Sequence, residues 1–401
     1  MKIAFLSREY PPDSPWGGLA TLYQGLAQAL AERGHETHVI CQALGEPGDD
    51  IEGGVFVHRV GTSSKRYSAM ARINYGIHAR RKLADVVRQY GIDIVEASQW
   101  GAEGLLCGSR RSAPLVVRLD VSASDLLRAG TYSGMAHKLS LAVLSRLEDR
   151  AVGMADRVIA ISQYTYDWAV RERGIDPQRV DLVHHGIDTA LCRFVQSEMR
   201  DELGVAKEAQ MVLFVGRLEK RKGLHTLFEA IPHVVRAMPT AKFVLVGQDT
   251  NTAPHRGSLK SYLMENARSE GFADSLVFVD FMSREQLVRV YSVCDLFVLP
   301  SLQEGFSMSI LEALACGKAV VATAAGGAPD IGLSPPHGIL VPPNDADGLG
   351  AAILRLLSLG EADRKLVAEQ NRELVETRYS MAAWADKVID VYRKTLGDKV
   401  K

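Results

Sequence analysis

The sequence predicts an α/β protein built from two similar units, each a parallel sheet with helices on both faces. Three observations predict it. Short apolar runs alternate with longer amphipathic stretches from the first residues onward. The same rhythm restarts near residue 210. At 401 residues the chain is long enough for two domains of ordinary size.

The first series of apolar runs falls at 3–6, 37–41, 55–60, 94–95, 115–119 and 157–161. The second falls at 211–215, 243–246, 276–279, 296–299 and 319–322. Each is short and mostly apolar, as suits a strand buried on both faces. Between the first two runs, Leu19, Leu22, Tyr23, Leu26, Ala29 and Leu30 recur at helical spacing, and Gly34 stops the pattern. The seam falls around residues 186–203. The expected domains are therefore 1–190 and 191–380, followed by an amphipathic tail, 381–401, with Trp384, Val388, Val391 and Tyr392 on one face.

Composition narrows the function classes. A formal net charge of −1 carries no basic excess for nucleic acid. The five cysteines are scattered and never form a CxxC pair, which argues against a disulfide framework or zinc site and fits a reducing cytosol. The apolar run 3–6 is too short for a signal-peptide core, and no run of about 18 apolar residues is present to span a membrane.

Parallel sheets bind ligands beyond the carboxyl ends of their strands, and three segments there carry chemistry. Gly216-Arg217-Leu218-Glu219-Lys220-Arg221-Lys222-Gly223 follows the run 211–215. Gly216 permits a tight turn, while Arg217 offers a forked donor and Lys222 a point charge, both suited to a diphosphate. Lys220 and Arg221 are expected to raise the local positive potential; a solvated basic turn is the plain alternative.

The second segment, residues 300–313, follows the run 296–299. It holds Glu304 and Glu312, separated by seven residues, and the run Gly305-Phe306-Ser307-Met308. Gly305 permits close approach of a ligand. Ser307 is expected near a helix N-terminus, where free N–H groups receive anionic oxygens. The carboxylates can accept hydrogen bonds from sugar or ribose hydroxyls. Capping boxes pairing Ser301 with Glu304 and Ser309 with Glu312 are the competing explanation. The third segment, Pro11-Pro12-Asp13-Ser14-Pro15-Trp16-Gly17-Gly18, puts two glycines at a helix start, a weak phosphate-binding signal that also suits a plain turn.

Together, in this order and at these strand ends, the segments resemble glycosyltransferase family 4, with its GT-B fold of two Rossmann-like domains facing across a cleft. The likeness extends to 155–162, to Val183-His184-His185-Gly186-Ile187-Asp188, to Gly326-Gly327-Ala328-Pro329-Asp330 and to Gly338-Ile339-Leu340-Val341-Pro342-Pro343, the last two similar to late loops of the family. The resemblance implies a retaining transfer of a hexose-type sugar from a nucleotide diphosphate sugar to a hydroxyl acceptor. UDP is the donor expected first, with GDP and ADP open. It implies that Arg217 and Lys222 bind the diphosphate, Glu304 the transferred sugar and Glu312 the ribose. Gly216 and the run Gly305–Met308 complete the donor site, and Gly17 and Gly18 close over the diphosphate. It also implies that the C-terminal helix packs back on the N-terminal domain.

One position departs from the family. Relatives often carry a histidine facing the transferred sugar where this chain has Asp120. Asp120 can instead accept a sugar hydroxyl, cap the next helix, or mark lost activity. The alternatives are therefore a non-catalytic sugar-nucleotide-binding partner subunit, or another GT-B enzyme such as a nucleotide-sugar 2-epimerase or a sugar phosphorylase. No cofactor or metal is expected. Asp345-Ala346-Asp347 reads as a helix N-cap, and His184-His185 as a backbone-positioning pair. Residues 61–90 carry seven basic side chains against Asp85 alone, so the segment 65–88 is expected to suit an anionic membrane surface or acceptor. The expected location is cytoplasmic, with the inner face of the membrane as an alternative; acceptor identity stays open.

Overall fold

The computed structural model describes residues 1–12, 18–61, 69–108, 111–130, 134–254 and 257–397, without the side chains of 69–73. The chain divides into two compact units. The first comprises Met1–Ser124, Ser140–Gly186 and the segment from Met381 onward; the second comprises Asp125–Leu139 and Ile187–Ser380.

The first unit is built on β1 (Lys2–Leu6), β2 (Glu36–Gln42), β3 (Gly48–Glu52), β4 (Val55–Val60), β5 (Ile94–Ser98), β6 (Leu115–Arg118), β7 (Arg157–Ala160) and β8 (Val180–Leu182). Their spatial order is β3-β4-β2-β1-β5-β6-β7-β8. All neighbours are parallel except β3, which runs antiparallel to β4 at the edge. Strands β1, β5 and β6 are buried almost throughout, as a sheet covered on both faces requires. The helix Gly18–Glu32 buries Leu22, Tyr23, Leu26 and Leu30.

The C-terminal helix Met381–Gly397 belongs to this unit and buries Trp384, Val388, Val391 and Tyr392. An ionic cluster ties it to the sheet. Arg118 donates through Nε to Glu96 at 2.7 Å and through Nη2 at 3.0 Å, and the Tyr392 hydroxyl donates to the same carboxylate at 2.6 Å. The guanidinium lies 5.2 Å from the Trp384 ring centre. Neither Arg118 nor Glu96 is solvent-accessible, so each charge depends on the other.

The second unit carries β9 (Met211–Val215), β10 (Lys242–Val246), β11 (Leu276–Val279), β12 (Leu296–Leu299), β13 (Ala319–Thr323) and β14 (Gly338–Val341), all parallel, in the order β11-β10-β9-β12-β13-β14. The order reverses between β9 and β12, the position at which open parallel sheets hold ligands beyond the carboxyl ends of their strands. The first unit reverses in the same way between β1 and β5. The run 338–341, likened above to a loop, is the edge strand β14: its backbone pairs with β13 along four residues.

Candidate donor site in the second unit

The loops after β9 and β12 meet at the reversal of strand order. Gly223 follows the basic turn with φ +66°, and a Cβ there would stand 1.8 Å from the Pro300 carbonyl oxygen. Only glycine lets the two loops approach this closely. The Leu302 amide then donates to the Arg221 carbonyl at 2.8 Å.

This contact brings Lys222 to Glu304, with Nζ 2.6 Å from Oε2. The Ser301 hydroxyl donates to the same oxygen at 3.1 Å. Burial alone would raise Glu304, but Lys222 and Arg221 beside it overcome that and hold it at about 2. Burial pulls Lys222 below the ordinary lysine range, and Glu304 resists. Glu304 is thus ionised at neutral pH and stands 2.6 Å from the Lys222 nitrogen. Arg217 is half-exposed and reaches Glu219 at 3.3 Å. Its remaining N–H groups face solvent in part.

Gly216 ends β9 and donates to the Val246 carbonyl. Gly305, Phe306 and Ser307 are buried, and Met308 opens the helix Met308–Ala315. Ser307 caps that helix by accepting from the Ile310 amide. The cap is therefore Ser307, and the boxes built on Ser301 or Ser309 do not form. Phe306 packs on Tyr379, with ring centres 5.9 Å apart, so its side chain serves the fold. Glu312 accepts from the Tyr291 hydroxyl at 3.1 Å and borders a small cavity with Arg284, Cys192 and Cys316. Burial raises its pKa, and the Tyr291 hydrogen bond opposes the rise.

Arg221 departs from expectation. It is buried and spends its charge on Glu219, with Nη2 2.6 Å from Oε1, instead of on the surface potential. Sequence reading also missed Glu219 as a structural carboxylate and Tyr291 as the Glu312 partner. The lone acid in the basic run 217–222 was the available signal for the first; the second pairing spans 21 residues and left none.

In the first unit, Asp120 follows β6 and is buried, accepting from the Ser98 hydroxyl at 2.9 Å. Burial lifts its pKa to about 7 against the opposing Ser98 and Arg118. Glu103 accepts the Arg8 amide with both oxygens, at 2.9 and 3.2 Å, and burial lifts it to about 8. Gly18 opens its helix, exposed; Gly17 lies outside the described residues. So do Lys65, Arg66 and the Arg72 side chain. In the rest of the basic segment, Lys82 pairs with Asp49 and Arg88 with Asp85, while Arg80 and Arg81 are exposed. Asp345 caps the helix Ala346–Leu357 through the Gly348 amide, as its sequence position predicts. Among the described residues, no group of three or more His, Cys, Asp or Glu side chains is assembled around a metal position, and no helix is long and apolar enough to cross a membrane.

Two doubly wound units, one with a cationic turn facing a carboxylate loop at its strand reversal, define the class of GT-B glycosyltransferases. The family models agree: Glycosyltransferase Family 4 matches residues 16–191 and Glycosyl transferases group 1 matches 195–392. The chain belongs to glycosyltransferase family 4. An uncharacterized glycosyltransferase of Methanocaldococcus jannaschii is 27% identical over 98% of both chains. A D-inositol 3-phosphate glycosyltransferase of Segniliparus rotundus is 28% identical over 96% of this chain and 87% of its own. Among solved structures, the sucrose-phosphate synthase of Thermosynechococcus elongatus superposes with a TM-score of 0.81 over 99% of both chains at 22% identity. Anabaena HepE, solved in complex with UDP-glucose, superposes with 0.74 over 98% of this chain and 100% of its own, also at 22% identity.

Proposed function

We propose that this glycosyltransferase moves a hexose-type sugar from a nucleoside diphosphate donor to a hydroxyl acceptor, with retention of anomeric configuration and without a metal. The observation that carries the reading is the Lys222–Glu304 pair beside Arg217 at the strand reversal. Arg221 is buried against Glu219, Lys222 faces Glu304, and Arg217 is half-exposed and reaches Glu219 through Nη2. That leaves positive charge for a diphosphate.

Transfer proceeds through an oxocarbenium-like state while negative charge grows on the leaving diphosphate. Arg217, Lys222 and the N-terminus of the helix Met308–Ala315 are suited to stabilise that charge. Glu304, held ionised, is suited to accept hydrogen bonds from hydroxyls of the transferred sugar. Retention follows if the acceptor attacks from the face the diphosphate leaves, with the leaving phosphate taking the acceptor's proton; no nucleophilic carboxylate is then assigned. Glu312 is assigned to the ribose, and Asp120 to a sugar or acceptor hydroxyl. UDP-glucose is the donor to try first, because HepE was solved with it.

The test is turnover of UDP-glucose, with GDP and ADP sugars beside it, against a set of hydroxyl acceptors in EDTA. UDP release and the anomeric proton of the product are followed by NMR. An α-linked product formed in EDTA supports the reading. Binding without turnover favours the non-catalytic alternative, and epimerised donor without acceptor favours the epimerase. Full loss in EDTA restored by manganese overturns the metal-free mechanism.

A further inference from the structure

The donor-site turn contains a second, buried ion pair that the diphosphate and sugar assignments leave unused. Glu219 is 1% exposed and Arg221 is 7% exposed. Arg221 donates to Glu219 Oε1 through Nε at 3.1 Å and Nη2 at 2.6 Å. With Nη1 it donates to the Gln303 carbonyl at 3.1 Å and lies 3.5 Å from Glu304 Oε1. Its own carbonyl receives the Leu302 amide at 2.8 Å. One residue of the β9 turn therefore grips three consecutive residues of the β12 loop, ending on the carboxylate paired with Lys222. Arg217 Nη2 donates to the same Glu219 Oε1 at 3.3 Å.

We infer that Glu219 and Arg221 are a coupled pair of positioning residues serving the two halves of the donor site: Glu219 aims Arg217 at the diphosphate, and Arg221 aims Glu304 at the transferred sugar. A fork is needed at 221 because the guanidinium satisfies a carboxylate on one edge and a carbonyl on another, which a lysine ammonium cannot do in the same plane. A buried charge pair costs desolvation that apolar packing would avoid, so its place here calls for a role beyond cohesion. The chain uses it to fix the one loop whose carboxylate must stay in register with Lys222. Glu219 works on the exposed end of the turn, where Arg217 otherwise has the freedom of a long side chain.

This inference rests on the proposed donor site and predicts different leading effects for two neutral variants. Glu219→Gln frees Arg217 and weakens UDP binding about tenfold, a larger factor than its loss of kcat for UDP-glucose. Arg221→Gln leaves UDP affinity within threefold and lowers kcat at least tenfold, because the sugar carboxylate is no longer held. Arg221→Lys keeps the charge and loses the fork; it folds with near-native circular dichroism and still loses kcat. The assays are calorimetry with UDP and UDP release from UDP-glucose, or the nucleotide pair that the wild-type protein binds. If wild type binds no nucleotide, the donor reading itself fails. If wild type binds and turns over while Arg221→Lys has native kcat, or if both neutral variants change affinity and kcat alike, the positioning roles are overturned.

Discussion

Lys222 Nζ lies 2.6 Å from Glu304 Oε2, joining the loops of two strands that neighbour one another across the strand reversal. Both side chains are largely buried, and Arg221 stands 3.5 Å from the other oxygen. The proposed diphosphate would share Lys222 with this carboxylate. The pair therefore keeps the loops in place before the donor arrives, and its strength can be measured apart from activity.

Removing the ammonium with Lys222→Ala is expected to destabilise the protein by about 2 kcal/mol. An isolated buried pair would lose about 3–5 kcal/mol, but Arg221 remains beside the carboxylate. Urea unfolding measures the loss. Combining Lys222→Ala with Glu304→Gln should cost less than the sum of the single changes, because the second change removes the stranded charge. Glu304 is depressed to about 2, so its contribution is fully present above the ordinary glutamate range and is lost as pH falls toward 2.

Asp120 predicts the opposite pH trend. Its folded-state pKa is raised by burial from 3.8 to about 7. Between those values the folded state holds a proton that the unfolded state has released, so stability falls as pH rises and levels off above 7. Asp120→Asn removes the titration. Stability curves from pH 4 to 8 should diverge, with the variant gaining on wild type by roughly 4 kcal/mol at most. Parallel curves would contradict the buried, protonatable state of Asp120.

Gly326 tests the second loop from its far side. It has φ +57°, and a Cβ there would stand 1.5 Å from the Glu304 carbonyl oxygen. Gly326→Ala must push the Glu304 loop away or unfold it locally. The expected cost exceeds about 1 kcal/mol, with nucleotide-sugar turnover falling at least tenfold in the folded fraction.

Tyr392→Phe tests how the C-terminal helix is held to its unit. The variant removes one hydrogen bond to a buried carboxylate that keeps Arg118 as its partner. A loss of about 1–3 kcal/mol is expected in urea unfolding. Arg118→Met should cost more, about 3–5 kcal/mol, because Glu96 is then buried without a cation.

The parallel core was legible in the sequence because its strands are largely buried on both faces and read as short, mostly apolar runs. The runs at 55–60, 211–215, 276–279 and 296–299 coincide with β4, β9, β11 and β12. The omissions have physical causes. Strand β3 contains Gly48, Asp49 and Asp50, which disfavour strands, and forms by pairing with β4. Strand β8 has three residues, too few for a pattern. Strand β14 lies between Gly338 and a Pro-Pro pair, which reads as a turn until its pairing with β13 is seen. Lys222 and Glu304 were legible as charged residues following apolar strands. That they pair with each other, and that Arg221 faces inward, depends on two loops 82 residues apart in sequence. No local spacing encodes that.

The central claim is that the β9 and β12 loops hold the donor through its diphosphate. The direct measurement is calorimetric titration of wild type and Lys222→Ala with UDP, GDP and ADP, each beside its own nucleoside. One diphosphate should bind wild type at least tenfold more tightly than its nucleoside, and that gap should collapse in Lys222→Ala. Equal affinity for diphosphate and nucleoside in both proteins would contradict the claim.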